Sequence, residues 1–442
     1  MIGYIDNILF IIALILSISL FSFNFKKIYF NIKLGRDENR SDKPMYRLKN
    51  MLRVAFGQGK MIRRPIAGIL HLIVYIGFII INIELLEIII DGIFGSHRIF
   101  SPFFPRLYNI LIGSFEILAL LVLISVIIFW IRRNILKIKR FLNDEMKGWP
   151  KLDADLILYF EIILMILFLT MNGADYTIQL NYPENDIYVR AGSYPVSQFL
   201  VPFFQDLNLD DLILLERSTW WFHILGIFIF LNYLYYSKHL HILLAFPNTY
   251  YANLESKGKF KNIDSITSEV KLMLDDTNNY VDNDTSEIET FGACDVTELS
   301  WIQLLNAYSC TECGRCTSEC PANLSGKKLS PRKIMMDTRD RLEEVSRNIS
   351  KNNGVFKEDG NQLLDNFISR EELWACTSCN ACVDACPINI DPLSIIMRMR
   401  QYLIMEESSA HSDLNNMMNN IENNGAPWPY NQQDREVWIQ EP

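Results

Sequence analysis

Long, nearly uncharged apolar stretches fill much of the first 245 positions of this 442-residue chain. A stretch of 18 or more apolar residues is typical of a membrane span, and in lipid only helices and closed barrels satisfy their own backbone hydrogen bonds. The sequence therefore predicts five spanning helices, at about residues 5–23, 65–90, 109–131, 155–171 and 219–241. The rest is charged and rich in Asn, so we expect a mainly α protein in which a five-helix transmembrane bundle precedes a soluble domain.

Basic residues are distributed unequally among the loops. Loops 24–64 and 132–154 hold twelve and seven Lys and Arg residues, whereas loops 91–108 and 172–218 hold two each. Because cytoplasmic loops are rich in Lys and Arg, we expect a multi-pass protein of the cytoplasmic (inner) membrane, in contact with lipid. Its N-terminus should lie outside and its C-terminal half in the cytoplasm. The net charge of −9 gives no reason to expect nucleic acid as a partner.

All nine cysteines lie between Cys294 and Cys386, and eight of them form two copies of the motif C-x2-C-x2-C-x3-C-P. This is the spacing of bacterial ferredoxins, in which the fourth Cys of each motif binds the other cluster. The motifs therefore predict two [4Fe–4S] clusters. The ligands would be Cys310, Cys313, Cys316 and Cys386 for the first cluster, and Cys376, Cys379, Cys382 and Cys320 for the second. Two zinc sites are the alternative, but zinc needs neither the closely spaced third Cys nor the Pro.

These features divide the chain into four predicted parts: a membrane domain at 1–245, a linker at 246–295, a dicluster ferredoxin domain at 296–405 and a partner-docking tail at 406–442. The Asp- and Asn-rich run 275–284 is typical of an exposed loop. Apolar spacing at 331–350 and 361–375 predicts helices between the two cysteine motifs. No GxGxxG motif follows a strand, so we expect no nucleotide bound through a Rossmann fold.

Histidines lie at the ends of the predicted spans, where ionisable residues are costly and suggest a function. On a continuous fifth helix, His223 and His241 would be five turns and about 27 Å apart on one face, and His239 would lie on the opposite face. His71, near the cytoplasmic end of the second span, would lie level with His241. Two facing His rings at one depth indicate a b haem with two His ligands. The alternative is that these residues only interact with a helix dipole or with core hydrogen-bond partners.

The segment His223-Ile-Leu-Gly…Ser-Lys-His-Leu-His241-Ile-Leu-Leu-Ala-Phe-Pro resembles the last span of the nitrate reductase gamma subunit and of membrane anchors in heterodisulfide-reductase-related complexes. The resemblance implies that His71 and His241 bind an inner b haem and that His223 binds an outer one. The family has a second His on the second span where this chain has Ile81. His97 is the remaining candidate for the outer haem, and it could bind only if the chain folds back after Asp91. One haem is therefore expected and a second is possible.

The soluble half resembles the helical ferredoxin domains of succinate dehydrogenase and heterodisulfide reductase, because 55 residues separate its two motifs. Its tail, with Trp428, Tyr430 and Trp438, resembles a connector that leads into a Cys-rich CCG domain in heterodisulfide-reductase-like proteins. The sequence stops four residues after Trp438, so we expect a separate partner, either a CCG-domain subunit or an electron-transfer flavoprotein.

The resemblance implies a membrane electron-transfer subunit that links the menaquinone or quinone pool to a cytoplasmic redox partner. The redox centres would be the b haem and the two clusters. The alternative function is that of a membrane iron–sulfur protein for redox sensing or assembly. Acids in the predicted spans either carry protons for a quinone or are paired near helix ends, and the sequence leaves both open. These acids are Glu84, Glu87, Glu116 and Glu161.

Overall fold

The computed structural model describes residues 4–260, 262, 264–274 and 290–440, which form helices with no β-strand among them. The first group of helices is α1 (Tyr4–Ile32), α2 (Pro44–Met51), α3 (Pro65–Phe94), α4 (Pro105–Trp130), α5 (Trp149–Asn181), α6 (Val201–Phe204), α7 (Leu209–Tyr233) and α8 (His241–Tyr250). The second group is α9 (Asp264–Leu274), α10 (Trp301–Ser309), α11 (Arg315–Ser318), α12 (Pro321–Leu324), α13 (Pro331–Lys351), α14 (Leu363–Asn366), α15 (Arg370–Ala375), α16 (Ala381–Ala385), α17 (Pro392–Met405), α18 (Ser412–Asn424) and α19 (Val437–Gln440). The predicted mainly α fold is confirmed. The predicted exposed loop at 275–284 lies outside the described residues.

Five helices of the described residues are long and apolar enough to cross a membrane. They cover Ile5–Ile32, Pro65–Phe94, Pro105–Ile135, Trp149–Asn181 and Leu209–Tyr236, and each is longer than the predicted span. Proline stands in the first turn of α3, α4 and α5, where its missing N–H costs nothing. The third helix of this set, α4, packs against both α3 and α5, and α5 packs closely on α7.

The prediction that one continuous helix joins His223 to His241 is wrong. Helix α7 ends at Tyr233, and the backbone becomes extended at Ser237 (φ −111°, ψ 144°) before a new helix begins at His241. The Asp153 carboxylate stabilises the break by accepting hydrogen bonds from the Tyr233 hydroxyl (2.6 Å) and the Lys238 N–H (3.1 Å). Because of this break, helical periodicity does not set the direction of the His241 ring.

Two smaller predictions about the same region are also wrong. Pro247 does not end the last span, because it lies inside α8. His239 is not turned away from His241, because their ring centroids are 5.4 Å apart. Both errors follow from the break at Ser237, which restarts the helical register.

The ferredoxin domain is fastened to the inner ends of the membrane helices. The loop after α1 exchanges backbone hydrogen bonds with the ferredoxin domain, from Arg36 N to Leu299 O (2.8 Å) and from Trp301 N to Arg36 O (3.0 Å). The Asn31 amide, in the last turn of α1, donates to the Tyr308 hydroxyl (2.7 Å). We call the end of the bundle beside this domain the near end, and the opposite end the far end.

Between the two cysteine motifs one predicted helix is confirmed and the other is wrong. Helix α13, over Pro331–Lys351, matches the prediction for 331–350. Instead of one helix at 361–375, the chain forms a kinked turn in which Asp365 has a φ of 67°. A second helix then starts after Ser369, whose side chain and the Glu372 side chain form a reciprocal capping box.

Candidate redox centres

The two cysteine motifs adopt the same local backbone. Each follows a helix whose C-cap is the first Cys, Cys310 after α10 and Cys376 after α15. The loop then contains two residues with positive φ and leads into a short helix, α11 or α16. These residues are Glu312 and Gly314 in the first motif, and Ser378 and Asn380 in the second. Helices α11 and α16 pack against each other, so the last Cys of each motif is directed toward the other loop.

The first group of thiols lines a single cavity of about 370 Å³. Three of its cysteines come from the first motif, and Cys386 comes from the second. Apolar residues such as Met335 and Ile390 and the basic residues Arg315 and Arg332 complete the wall. The cavity therefore brings together Cys residues of both motifs in the combination that the ferredoxin spacing predicts.

Burial opposes thiolate formation in this cavity. It raises the pKa of Cys310 to about 12 and the pKa of Cys386 to about 11. Neutral thiols would therefore dominate at pH 7, and four thiolates require a positively charged centre between them. The backbone N–H of Ile390 donates to the Cys386 sulfur (3.3 Å), a contact of the kind that tunes cluster potentials.

The second group of thiols also joins the two motifs. Burial, followed by Asp391 and by the neighbouring Cys376 and Cys320, raises the pKa of Cys382 to about 12. Burial raises the pKa of Cys376, and Cys320 and Cys379 act in the same direction. The thiol of Cys320, from the first motif, therefore lies among the thiols of the second. In this group Cys379 is exposed to solvent.

The spacing of these thiols fits a cluster better than single zinc ions. In the described part of the chain, no three His, Cys, Asp or Glu side chains are close enough together to hold one metal ion. Thiolates around one zinc all lie about 2.3 Å from the metal, whereas a four-iron cluster holds its thiolates apart at its corners. The donor set is also all sulfur, as such clusters require.

At the near end of the bundle, the rings of His71 on α3 and His241 on α8 face each other with centroids 6.5 Å apart. The His241 Nδ1 donates to the Lys238 carbonyl (3.1 Å), which leaves Nε2 free as a ligand nitrogen. The His71 Nδ1 is buried without a hydrogen-bond partner. Neither ring has the full set of hydrogen bonds expected of a structural core histidine.

This separation fits haem ligation by two His residues. A metal–imidazole bond is about 2 Å, and the ring centre lies about 1 Å beyond the nitrogen, so two axial imidazoles have centroids about 6 Å apart. The observed 6.5 Å agrees with that value. A direct hydrogen bond between the rings would require a shorter approach.

The other candidate histidines do not form such a pair. The His223 Nδ1 contacts the Leu164 carbonyl (3.1 Å), and its ring packs on Phe168. Helix α3 ends at Phe94, and the chain folds back as the sequence analysis required, but His97 then packs on Tyr188, with centroids 4.6 Å apart. In the described residues no ring contact joins His97 to His223.

Arg315 is a site residue that the sequence analysis missed. It lines the first thiol cavity, is 5% exposed, and donates to the carbonyls of Lys60 (3.3 Å) and Met61 (3.2 Å). Those residues immediately precede α3, and the charge of Arg315 acts electrostatically on His71. The signal was the difference between the motifs: Cys-Gly-Arg-Cys in the first and Cys-Asn-Ala-Cys in the second.

Comparisons with known proteins support the soluble half most strongly. The family described as "4Fe-4S dicluster domain" matches residues 309–390. The chain is 29% identical over 465 residues to "Probable iron-sulfur-binding oxidoreductase FadF" of Bacillus subtilis, an alignment that covers 99% of this chain and 61% of the relative. It is 26% identical over 455 residues to "EtfAB:quinone oxidoreductase" of Syntrophomonas wolfei, covering 97% and 59%.

A shorter match joins the ferredoxin part to an iron–sulfur polypeptide of the CoB–CoM heterodisulfide reductase of Methanopyrus kandleri, 26% identical over 98 residues, covering 22% of this chain and 40% of the relative. No solved structure matches the chain. The chain spans about three fifths of the length of the first two relatives. It therefore carries a [4Fe–4S] dicluster domain and is a homologue of iron–sulfur oxidoreductases.

Proposed function

We propose that this chain is a membrane electron-transfer subunit that links the menaquinone or quinone pool to a cytoplasmic redox partner. The observation that carries the proposal is the position of Arg315, between the first thiol cavity and the segment that leads into His71. Iron–sulfur and haem sites are thereby adjacent in one rigid structure. The quinone link rests on the match to the EtfAB:quinone oxidoreductase, whose name states that function for that protein.

The proposed cluster ligands are those predicted from the motifs. Cys310, Cys313, Cys316 and Cys386 would hold the first cluster, and Cys376, Cys379, Cys382 and Cys320 the second. Each cluster supplies a one-electron carrier when bound. The protein would hold the thiolates at fixed positions, exclude water from the first site and donate hydrogen bonds to sulfur.

His71 and His241 would hold one b haem, which supplies a further one-electron carrier. The fit rests on the 6.5 Å separation and on the Lys238 carbonyl that orients His241. The contacts of His97 and His223 do not fit a second haem held in the same way, so the proposal is one haem for each chain.

The orientation follows from the basic loops, which lie at the near end beside the ferredoxin domain. A cytoplasmic near end places the clusters where a soluble partner can reach them. Cys379 is exposed, so the second cluster is the proposed point of exchange with that partner. Trp428, Tyr430 and Trp438 in the tail are 51%, 65% and 73% exposed and would contact a CCG-domain subunit or an electron-transfer flavoprotein.

The test is spectroscopic and uses the full chain purified in mild detergent. A reduced-minus-oxidised spectrum should show a b-type α band, with haem and protein in a one-to-one ratio and about eight irons per chain in the clusters. A menaquinol analogue should reduce the haem and the clusters. His71→Ala should abolish the α band and keep the cluster signals, whereas His411→Ala, on an exposed side chain, should change neither. Full cluster content without haem absorbance in the wild type would refute the haem proposal.

A further inference from the structure

Three acids form a row on the far half of α3. Glu84, Glu87 and Asp91 are spaced by three and four residues and therefore lie on one helix face. The row extends about 10 Å along the helix axis, from the middle of the bundle toward its far end. Glu84 and Glu87 are almost fully buried, at 3% and 4% exposure.

Glu84 differs from its neighbours because one of its oxygens is unsatisfied. Glu87 accepts hydrogen bonds from the Phe100 N–H (2.9 Å) and the Tyr108 hydroxyl (2.8 Å). On α4, Glu116 accepts from the N–H groups of Val196 (2.9 Å) and Ser197 (3.1 Å). In contrast, the Glu84 Oε2 is buried with no hydrogen-bond partner. Such a group costs free energy, so a purely structural role does not explain it.

The charges around Glu84 favour a bound proton. The groups that face it are Arg98, Glu87 on its own helix, Glu116 on α4 and Asp175 on α5. Arg98 forms an ion pair with Asp175 (2.6 Å), so that cation is already balanced. The remaining carboxylates share no further cation, and like charges this close in a low-dielectric interior do not all ionise. The cluster therefore holds exchangeable protons.

The row also reaches the far surface. Asp91 is half-buried and lines a cavity of about 300 Å³ that is also lined by Asp6, Arg217 and Trp221. The Tyr108 hydroxyl, between Glu87 and the Arg98 guanidinium (3.1 Å), gives the middle of the row a further proton-carrying group. Carboxyl groups thus continue from the far mouth to the unsatisfied oxygen of Glu84.

We propose that Glu84, Glu87 and Asp91 form a proton path from the far face of the membrane to a quinone-exchange position at Glu84. This inference rests on the proposed quinone link. Oxidation of one quinol to quinone releases two electrons, which pass to the redox centres, and two protons. Each proton is accepted by Glu84, passed to Glu87 and released through Asp91. Quinone reduction uses the same groups in the opposite direction.

The first experiment labels the full-length wild-type protein with dicyclohexylcarbodiimide, which attaches to protonated carboxyl groups in apolar surroundings. Peptide mass spectrometry should find the label on Glu84. It should not find it on Glu116, whose carboxylate is held by backbone N–H groups. This readout does not depend on turnover.

The second experiment follows reduction of the clusters by a menaquinol analogue in stopped flow. Glu84→Gln should slow the reduction about 100-fold, the usual size of a lost acid–base group, with unchanged haem and iron content. Glu84→Asp should recover most of the rate. Glu161→Gln, which removes another intramembrane acid at the near end, is the matched control and should keep the wild-type rate.

The outcomes separate the two proposals. If the quinol reduces the wild type and Glu84→Gln equally fast, or if Glu161→Gln slows the reduction as much as Glu84→Gln does, the proton path is wrong. If the quinol does not reduce the wild type at all, the quinone link fails, and the labelling alone decides whether Glu84 is a proton site. An unlabelled Glu84 overturns the inference in either case.

Discussion

The charge of Arg315 should set the reduction potential of the first cluster. Its guanidinium lines the thiol cavity and is held against the carbonyls of Lys60 and Met61. Arg315→Gln removes one positive charge and keeps a polar side chain that can reach part of the same contacts. Because a reduced cluster is more negative than an oxidised one, losing a nearby cation disfavours reduction. The midpoint potential should therefore fall.

The magnitude follows from the size of the cavity. A sphere of 370 Å³ has a radius of about 4.5 Å, so a charge on its wall lies about 8 Å from the centre, which corresponds to roughly 2 kcal/mol at an effective dielectric constant of about 20. For one electron this is about 90 mV. Residual solvent screening reduces the effect, so we expect a fall of about 40–90 mV.

The assay is a redox titration of the purified chain, followed by low-temperature EPR of both clusters. Arg315→Lys keeps the charge and should restore most of the potential. Arg63→Gln removes a cation whose side chain is 56% exposed, and it should shift the potential much less because water screens it. The second cluster is an internal control and should shift less than the first. An unchanged potential in Arg315→Gln, with intact clusters, would refute the reasoning.

The remaining predictions concern the ligands. His241→Ala should abolish the b-type α band, whereas His239→Ala should keep it, as a reduced-minus-oxidised spectrum will show; equal loss in both would contradict the proposed pair. In Cys320→Ala, EPR should show loss of the second cluster signal with the first retained, and the reverse loss would refute ligand exchange between the motifs. After iron is removed, iodoacetamide at pH 8 should modify the exposed Cys379 well before Cys310, because burial raises the pKa of Cys310 to about 12 and keeps its thiol protonated. The reaction of Cys310 should then accelerate about tenfold for each pH unit up to that value, as peptide mass spectrometry can check.

Much of the architecture was predictable because it depends on local composition. Apolar length is sufficient to identify the five spanning helices, and the structure has five among the described residues. The cysteine motifs carry their own loop geometry, since each needs two residues with positive φ, and Gly314 and Asn380 are residue types that adopt it readily. The combination of thiols in the first cavity likewise follows from the spacing.

The parts that were not predictable depend on contacts between segments far apart in the sequence. The helix break at Ser237 depends on Asp153, more than 80 residues earlier, which accepts the Tyr233 and Lys238 hydrogen bonds. No helix-breaking residue marks the site in the sequence. Similarly, the wrong helix prediction at 361–375 arose because apolar spacing continues through the kink, while positive φ at Asp365 interrupts the helix.

The break at Ser237 also explains how one residue can connect the two halves of the protein. The Lys238 N–H donates to Asp153 in the membrane bundle, and its carbonyl accepts from the His241 ring. Its ammonium group forms an ion pair with Glu312, beside Cys313 in the first cysteine loop. Although burial alone would raise the pKa of Glu312, Lys238 and Arg339 hold it below its usual value, so the pair stays charged. The rate of electron transfer falls steeply with distance, and a continuous helix would have carried Lys238 away from these partners. The break therefore fixes the cysteine loop and the histidine pair relative to each other, which electron transfer between them requires.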